Sequence, residues 1–324
     1  MQTKPFVFIL ACWLLIGMTG CEKQDIPASN STTQQPVYDD GLLPGRFSVG
    51  RTGKIRFAQG NLQYQASTGI WRLAAHQYDY VGDNKYGNVV ADGAKCDNAN
   101  ISSTYAGWID LFGWGTSGWN SGATAFQPFS VSTKSIDYCP GGSIYTDLAG
   151  QYANADWGVY NKISNGGNQA GLWHTLSYDE LYYLLAERYH ADSLKGLASI
   201  QGHRGFLLLP DDWEIPDGLT FVPRAGSCER NSYSYNEWIQ MELAGAVFLP
   251  FAGRRRYGTT IEDAGINAYY WTTTSSKVTA ESGWGYMSVW NLCVDDQGSG
   301  YMWFGNNFAA RSNGYSVRLV QTVK

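Results

Sequence analysis

Charge is scarce in this sequence. Asp, Glu, Lys and Arg make up only 16% of its 324 residues, the net charge is -5, and Arg254-Arg255-Arg256 is the one basic run. A chain so poor in cations and negative on average repels a polyanion, which excludes nucleic acid as a partner. The arginine triplet reads as a solvated or internally paired strand end. Cys-x-x-Cys is missing, which takes away the usual zinc and thioredoxin-type sites. The four histidines, His76, His174, His190 and His203, make no His-Glu-x-x-His, and there is no Gly-x-Ser-x-Gly elbow. His174, beside Trp173, reads as a structural hydrogen-bonder. With no catalytic spacing left, the sequence is read as that of a binding protein and not of an enzyme.

Long apolar runs are also lacking, except at the N-terminus. Lys4 precedes a 15-residue run, Phe6–Gly20, which is short for a bilayer span and suited to a signal-peptide core. It closes on Met18-Thr-Gly-Cys21, which resembles the lipobox of bacterial lipoproteins, where the cysteine is acylated. Buried acyl carbons contribute about 0.8 kcal/mol each, so a multiply acylated Cys21 holds a membrane firmly. The charged Glu22-Lys-Gln-Asp25 and the polar Ser29–Pro36 then read as tether. Acidic residues behind the cysteine resemble the surface-export signal of some Gram-negative lipoproteins. The expected plan is a signal peptide over 1–20, a flexible tether over 21–45 and one domain over 46–324. The expected location is the outer membrane, lipid-anchored and facing outward. Beyond Cys12 and Cys21 stand Cys96, Cys139, Cys228 and Cys293, which permit three disulfide pairings or free buried thiols.

What the sequence has in abundance is aromatic residues, 15% of the chain, and they crowd into residues 267–320 among Gly, Ser, Asn and Asp. Three runs there read as framing strands: Ala268–Thr273, Val289–Val294 and Ser316–Val320. Between them, Asp295–Tyr301 and Gly305–Gly314 read as loops. Tyr and Trp give rigid contact area while Ser, Gly and Asn adapt their hydrogen bonds, the composition of a paratope. The candidate ligand-binding residues are Trp284, Tyr286, Trp290, Asp295, Asp296, Tyr301, Trp303, Asn306, Asn307, Arg311 and Tyr315. About half can face outward from a strand, and Trp290 and Phe304 are the readiest to be core. Asp295-Asp296 suit a calcium ion through hard oxygens, or an exposed turn capping backbone amides; no other cofactor is indicated.

Earlier in the chain, Phe47–Val49, Lys54–Phe57, Asn61–Gln65 and Gly69–Leu73 alternate as antiparallel hairpins do. Residues 80–155 are loop-like, centred on Gly107–Asn120 with Trp108, Trp114 and Trp119. That segment is either a sugar-stacking platform or a loop packed on a sheet. Ser177-Tyr-Asp-Glu180 and Ser234-Tyr-Asn-Glu237 are capping boxes that predict two helices, one running to about His190, the other stopped by Gly245. Gly205–Pro210 and Gly245–Pro250 predict central strands that leave the sheet at proline.

Taken together, Gly60-Asn-Leu-Gln-Tyr, Gly107–Gly115, Asp156-Trp-Gly, Leu209-Pro-Asp-Asp-Trp, Phe248-Leu-Pro-x-Ala-Gly, Tyr269-Tyr-Trp-Thr-Thr-Thr and Ser316-Val-Arg-Leu-Val resemble a known family. It is that of bacterial surface lipoproteins with a C-type-lectin-like domain related to the formylglycine-generating-enzyme fold. The resemblance implies an α+β domain of small twisted antiparallel sheets, two helices and extensive loops, with its ligand surface at the C-terminus. Some members of that fold are variable proteins of diversity-generating retroelements, and 282–315 has that look. The enzyme branch uses a cysteine pair near the C-terminus, where this chain has Cys293 alone. The Glu-Pro-Asn, Gln-Pro-Asp and Trp-Asn-Asp strings of calcium-dependent lectins are missing too. The expected partner is therefore a protein or glycan at the cell surface; carbohydrate capture and a filament subunit are the alternatives.

Overall fold

The computed structural model describes residues 35–80, Gly82, 98–276, 288–295 and 309–323, with backbone alone for 288–291 and 295. The chain divides between Thr32 and Thr33, and every described residue belongs to the second unit.

In chain order the first strands are β1 (Phe47–Ser48), β2 (Lys54–Phe57), β3 (Leu62–Gln65) and β4 (Ile70–Leu73). Helix α1 (Trp157–Tyr160), β5 (His174–Thr175) and α2 (Tyr178–Tyr182) follow the long irregular region. Next come β6 (Lys195–Ile200), β7 (His203–Leu208), β8 (Ser232–Tyr233), α3 (Tyr235–Leu243) and β9 (Val247–Pro250). The C-terminal part holds β10 (Arg254–Arg256), β11 (Thr260–Glu262), β12 (Asn267–Ser275), β13 (Ser288–Asp295), β14 (Ala309–Ala310) and β15 (Leu319–Thr322). The protein is thus mixed α+β, with small, mostly antiparallel sheets and few helices.

The strands sort into the orders β1-β2-β15-β5, β8-β6-β7-β9 and β12-β13-β14, with β3-β4 and β10-β11 as hairpins. The β6–β8 pair alone among these is parallel. Both expected opening hairpins form. β12 and β13 stand where two of the C-terminal framing strands are expected, while the third, expected over Ser316–Val320, forms later, as β15 over Leu319–Thr322.

Both capping boxes start helices. At α2, Ser177 Oγ accepts from Glu180 N–H and Ser177 N–H donates to Glu180 Oε2 at 2.8 Å. At α3, the N–H and O–H of Ser234 both donate to Glu237 Oε2 at 2.7 Å, and Gly245 ends the helix with φ +99°. The first helix is shorter than its sequence suggests. A π-helical turn, Tyr183–Glu187, replaces the run to His190, and the chain is extended at Arg188. The extension buries Arg188, whose Nη1 meets Asp211 Oδ1 at 3.2 Å.

Two further expectations are corrected. The fold begins before Phe47: Leu43 is fully buried, its N–H donates to Phe57 O, and Leu42 bridges to Ala58, so residues 35–45 are not free tether. Of the two apolar runs, β7 is central but β9 is an edge strand. Its outer side needs no neighbour, because Gln77 Oε1 accepts from Phe248 N–H at 2.7 Å and Arg318 Nη2 donates to Phe248 O at 2.7 Å.

Candidate functional site

The chain from Gly314 to Ser316 is stitched to three segments at once. Gly314 bridges to Arg255 in β10, Tyr315 to Phe112, and Ser316 to Tyr270 in β12. That stitching aligns an aromatic ladder. Trp271 stacks on Tyr315 at 4.2 Å, Tyr315 on Tyr269 at 4.9 Å, and the Arg254 guanidinium covers Tyr269 at 4.8 Å. The outer end is closed by Tyr269 Oη donating to Asp263 Oδ2 at 2.8 Å, and by ion pairs from Arg254 to Glu262 and Asp263. Burial pushes the Tyr269 and Tyr315 phenols above their ordinary range, so Tyr269 donates as a neutral group, while Tyr315 Oη accepts from Asn313 Nδ2 at 3.4 Å.

β12 carries this ladder because its far half is fastened from three sides. Trp114 Nε1 donates to Thr272 O at 2.8 Å, Leu148 N to Thr273 O at 2.8 Å, and Tyr178 N to Thr274 Oγ1 at 3.0 Å. Asp147 Oδ1 accepts from both Ser275 N and Ser275 Oγ. Asp147 and Tyr178 thus hold the strand end from which residues 277–287 depart. Sequence reasoning missed both: Tyr178 was visible only as the second residue of a capping box, and nothing local to Asp147 points to β12.

Of the eleven candidates, Trp284, Tyr286, Asp296, Tyr301, Trp303, Asn306 and Asn307 lie outside the described residues, as does Phe304. Trp290 and Asp295 lie on β13, where Asp295 pairs with Asn267 across β12; their side chains are outside the description. Arg311 and Tyr315 are brought inward, contrary to expectation. The Arg311 guanidinium sits 4.3 Å over the Trp114 ring, donates to Ile144 O, and reaches Cys139 Sγ at 3.4 Å. Tyr315 is the middle rung of the ladder. The physical reason is the same for both: large side chains with amphipathic tips find stacking and carbonyl partners inside the fold, so they serve the scaffold and not the ligand face.

The Trp-rich segment resolves towards packing. Trp114 is fully buried and Trp108 nearly so beneath Arg72, whose guanidinium lies 3.6 Å from the ring centroid. Trp114 therefore has no open face for a sugar. The arginine triplet is internally paired, as one of its readings held. Arg254 and Arg256 contact Glu262, while Arg255 is fully buried and donates to Gly258 O, Leu111 O and Ser130 O.

Cys139 and Cys228 are free thiols and buried, and Cys293 is buried as well; Cys96 is outside the described residues. Burial pushes the Cys139 and Cys228 thiols up, which makes them poor nucleophiles. His76 bonds Asp79 at 3.1 Å, which raises its basicity, and stacks on Tyr78, which stacks in turn on His203. Burial lowers His203. Among the described residues no group of three His, Cys, Asp or Glu side chains is placed to hold a metal, and no helix is long and apolar enough to cross a membrane.

Two concavities stand out. One, of about 30 Å³, lies inside the fold among Leu176, Leu181, Leu292, Tyr270 and Arg318; it has room for a water molecule but not for a ligand. The other is an open groove of about 810 Å³ at the end of α3, lined by Asp212, Glu214, Asp217, Ile215 and Leu243, and it shares no residue with the β12–β15 frame. Compared with known proteins, the chain matches no family model, no curated protein and no solved structure.

Proposed function

We propose that the chain is a lipid-anchored, surface-displayed binding protein of C-type-lectin-like fold, whose C-terminal segment recognises a protein or glycan. The observation that carries this reading is the fastening of the ends of 277–287 and 296–308. Ser275 and Ala309 pair with β13, β13 pairs with β12, and the ladder through Tyr315 ties β12 to the segment just before the closing strand. Rigid framing on both sides of segments rich in Trp, Tyr, Asn and Gly is how recognition loops are held elsewhere. The assignment of Cys21 as the lipid site rests on the sequence, and the proposal includes no catalytic step. Calcium at Asp295-Asp296 is not needed by it.

The candidate contacts are Trp284, Tyr286, Tyr301, Trp303, Asn306 and Asn307. Arg311 and Tyr315 leave the list. The test is the purified chain from residue 22 on a glycan array and on an array of bacterial and host surface proteins. Alanine at Trp284, Tyr286, Tyr301 and Trp303 together should reduce binding at least about tenfold, since interface aromatics carry roughly 2 kcal/mol or more at hot spots. Unchanged binding with the circular dichroism spectrum retained overturns the reading. Broad polysaccharide binding would move it to carbohydrate capture. Anchorage has its own test: labelled palmitate should enter the wild type but not Cys21→Ser. Programmed variation is read in neighbouring DNA, as a reverse transcriptase and a near-copy of the 3′ end differing at adenines.

A further inference from the structure

Glu242 lies on the inner face of α3, almost wholly buried, and no cation among the described residues lies within ion-pair distance of it. Burial pushes its carboxyl above the ordinary range, its hydrogen-bond donors and the nearby His76 pull the other way, and the donors divide between its two oxygens. Oε2 takes Gln77 Nε2 and Trp238 Nε1, each at 3.1 Å, from inside the domain. Oε1 takes Tyr38 Oη at 3.1 Å and Gln35 Nε2 at 3.3 Å, both from the N-terminal segment. One oxygen therefore belongs to the fold and the other to an incoming strap.

The strap has little else to hold it. Val37 is 87% exposed, and Asp39 and Asp40 are exposed. None of the backbone N–H groups of residues 35–40 has a backbone acceptor among the described residues, and beyond Glu242 Gln35 has Tyr235 Oη at 3.4 Å. The Tyr38 ring is only partly buried against the core. Character changes sharply at Gly41. Its φ is +67°, a Cβ there would come within 2.6 Å of Asn165 O and Leu73 Cδ1, and its carbonyl accepts from Gln59 N–H. Gly41 is thus a fixed pivot: Leu42 and Leu43 after it bond the sheet, while the side chains before it that reach inward, Gln35 and Tyr38, meet on the Glu242 carboxyl.

On the inner side, Glu242 is wired to more than the helix. Gln77, which donates to Oε2, also accepts Phe248 N–H with its Oε1, and its backbone oxygen accepts from Arg318 Nη2. Gln77 stands between His76 and Tyr78, the first rungs of the stack that ends on His203. Gln77 Nε2 also donates to Ala246 O at 3.1 Å, so Gln77 is the contact that joins Glu242 to residues 76–80.

We propose that Gln35–Asp40 is a releasable strap latched by Glu242 Oε1, and that its release loosens residues 76–80 through Gln77 while the sheets stay closed. Two side-chain hydrogen bonds are within reach of ordinary local opening, whereas the buried strands open only with the whole domain.

The test compares the full chain with Gln35→Ala/Tyr38→Phe, which removes both strap donors, and with Glu242→Gln. An Asp-specific protease should cut at Asp39 or Asp40 at least about tenfold faster in the double variant, the loss of one or two hydrogen bonds to a buried carboxyl. Amide exchange should rise at His76 and Asp79, whose N–H groups bond within 76–79, and stay unchanged across β6, β7 and β9. Glu242→Gln should act in the same direction; if it does not fold, the double variant decides. Equal cleavage rates overturn the latch. Faster cleavage with unaltered exchange at 76 and 79 overturns the coupling, and a uniform rise that includes β7 shows the strap to be part of the core.

Discussion

Two regions of this molecule solve the same problem by opposite means. In the sheet β8-β6-β7-β9 under α3, backbone groups bond one another along the ladders, and side chains such as Leu207, Phe248, Trp238 and Met241 fill the space. In residues 107–161 few backbone groups have a ladder partner, and side chains collect the carbonyls instead. Arg255 gathers two, from Leu111 and Ser130, Arg311 takes Ile144 O, Trp271 Nε1 takes Phe112 O at 2.6 Å, Ser117 Oγ takes Asn154 O, and Asn161 Nδ2 takes Ser117 O. The first region is specified by shape and volume, the second by donors in fixed places. A change that keeps volume and deletes a donor should therefore be costly in one and cheap in the other.

The largest effect is expected from Arg255→Met, which keeps the stem but strands the carbonyls of Leu111, Ser130 and Gly258. A loss of about 4 kcal/mol should appear as a lower urea midpoint at constant slope. Next is Asp211→Asn, which leaves the buried Arg188 without its carboxylate and should cost about 3 kcal/mol at pH 7. Burial pushes the Asp211 carboxyl up, but Ser48, Lys54 and Arg188 outweigh it and hold the group below its ordinary value. The folded value is thus the lower one. Its stabilisation is complete above the unfolded value and is lost as pH falls through the folded one, so wild type and variant should converge in acid. Trp114→Phe, losing the bond to Thr272 O, should cost about 2 kcal/mol. Leu207→Met, equally buried in the regular region, should cost no more than about 1 kcal/mol. If Leu207→Met proves as damaging as Trp114→Phe, the contrast between the regions falls.

The regular region was also the legible one. Ser177-x-x-Glu180, Ser234-x-x-Glu237 and Gly245 announce their helices because capping is decided by residues within four positions of each other. β6 went unseen, since Lys195-Gly-Leu-Ala-Ser-Ile alternates poorly; its Lys195 is buried only because Asp192 and Leu185 O receive its ammonium. In the irregular region sequence gave composition without partners. Arg255 sits in a triplet that looks like surface, and two of its three acceptors lie 144 and 125 positions away. The candidate site shows both sides: β12 and β13 are legible as strands, whereas nothing local marks Tyr315 and Arg311 as interior, because their stacking partners come from β12 and from Trp114.

β15 has a consequence for how the molecule is made. It lies between β2 and β5, both of which precede it by more than a hundred residues, and it pairs with each. Until residues 319–322 have left the ribosome, the hydrogen-bonding edges of Lys54–Phe57 and His174–Thr175 face an empty slot. The nascent chain must wait with that slot open, exposed to mispairing, and synthesis itself sets the earliest moment at which the domain can close.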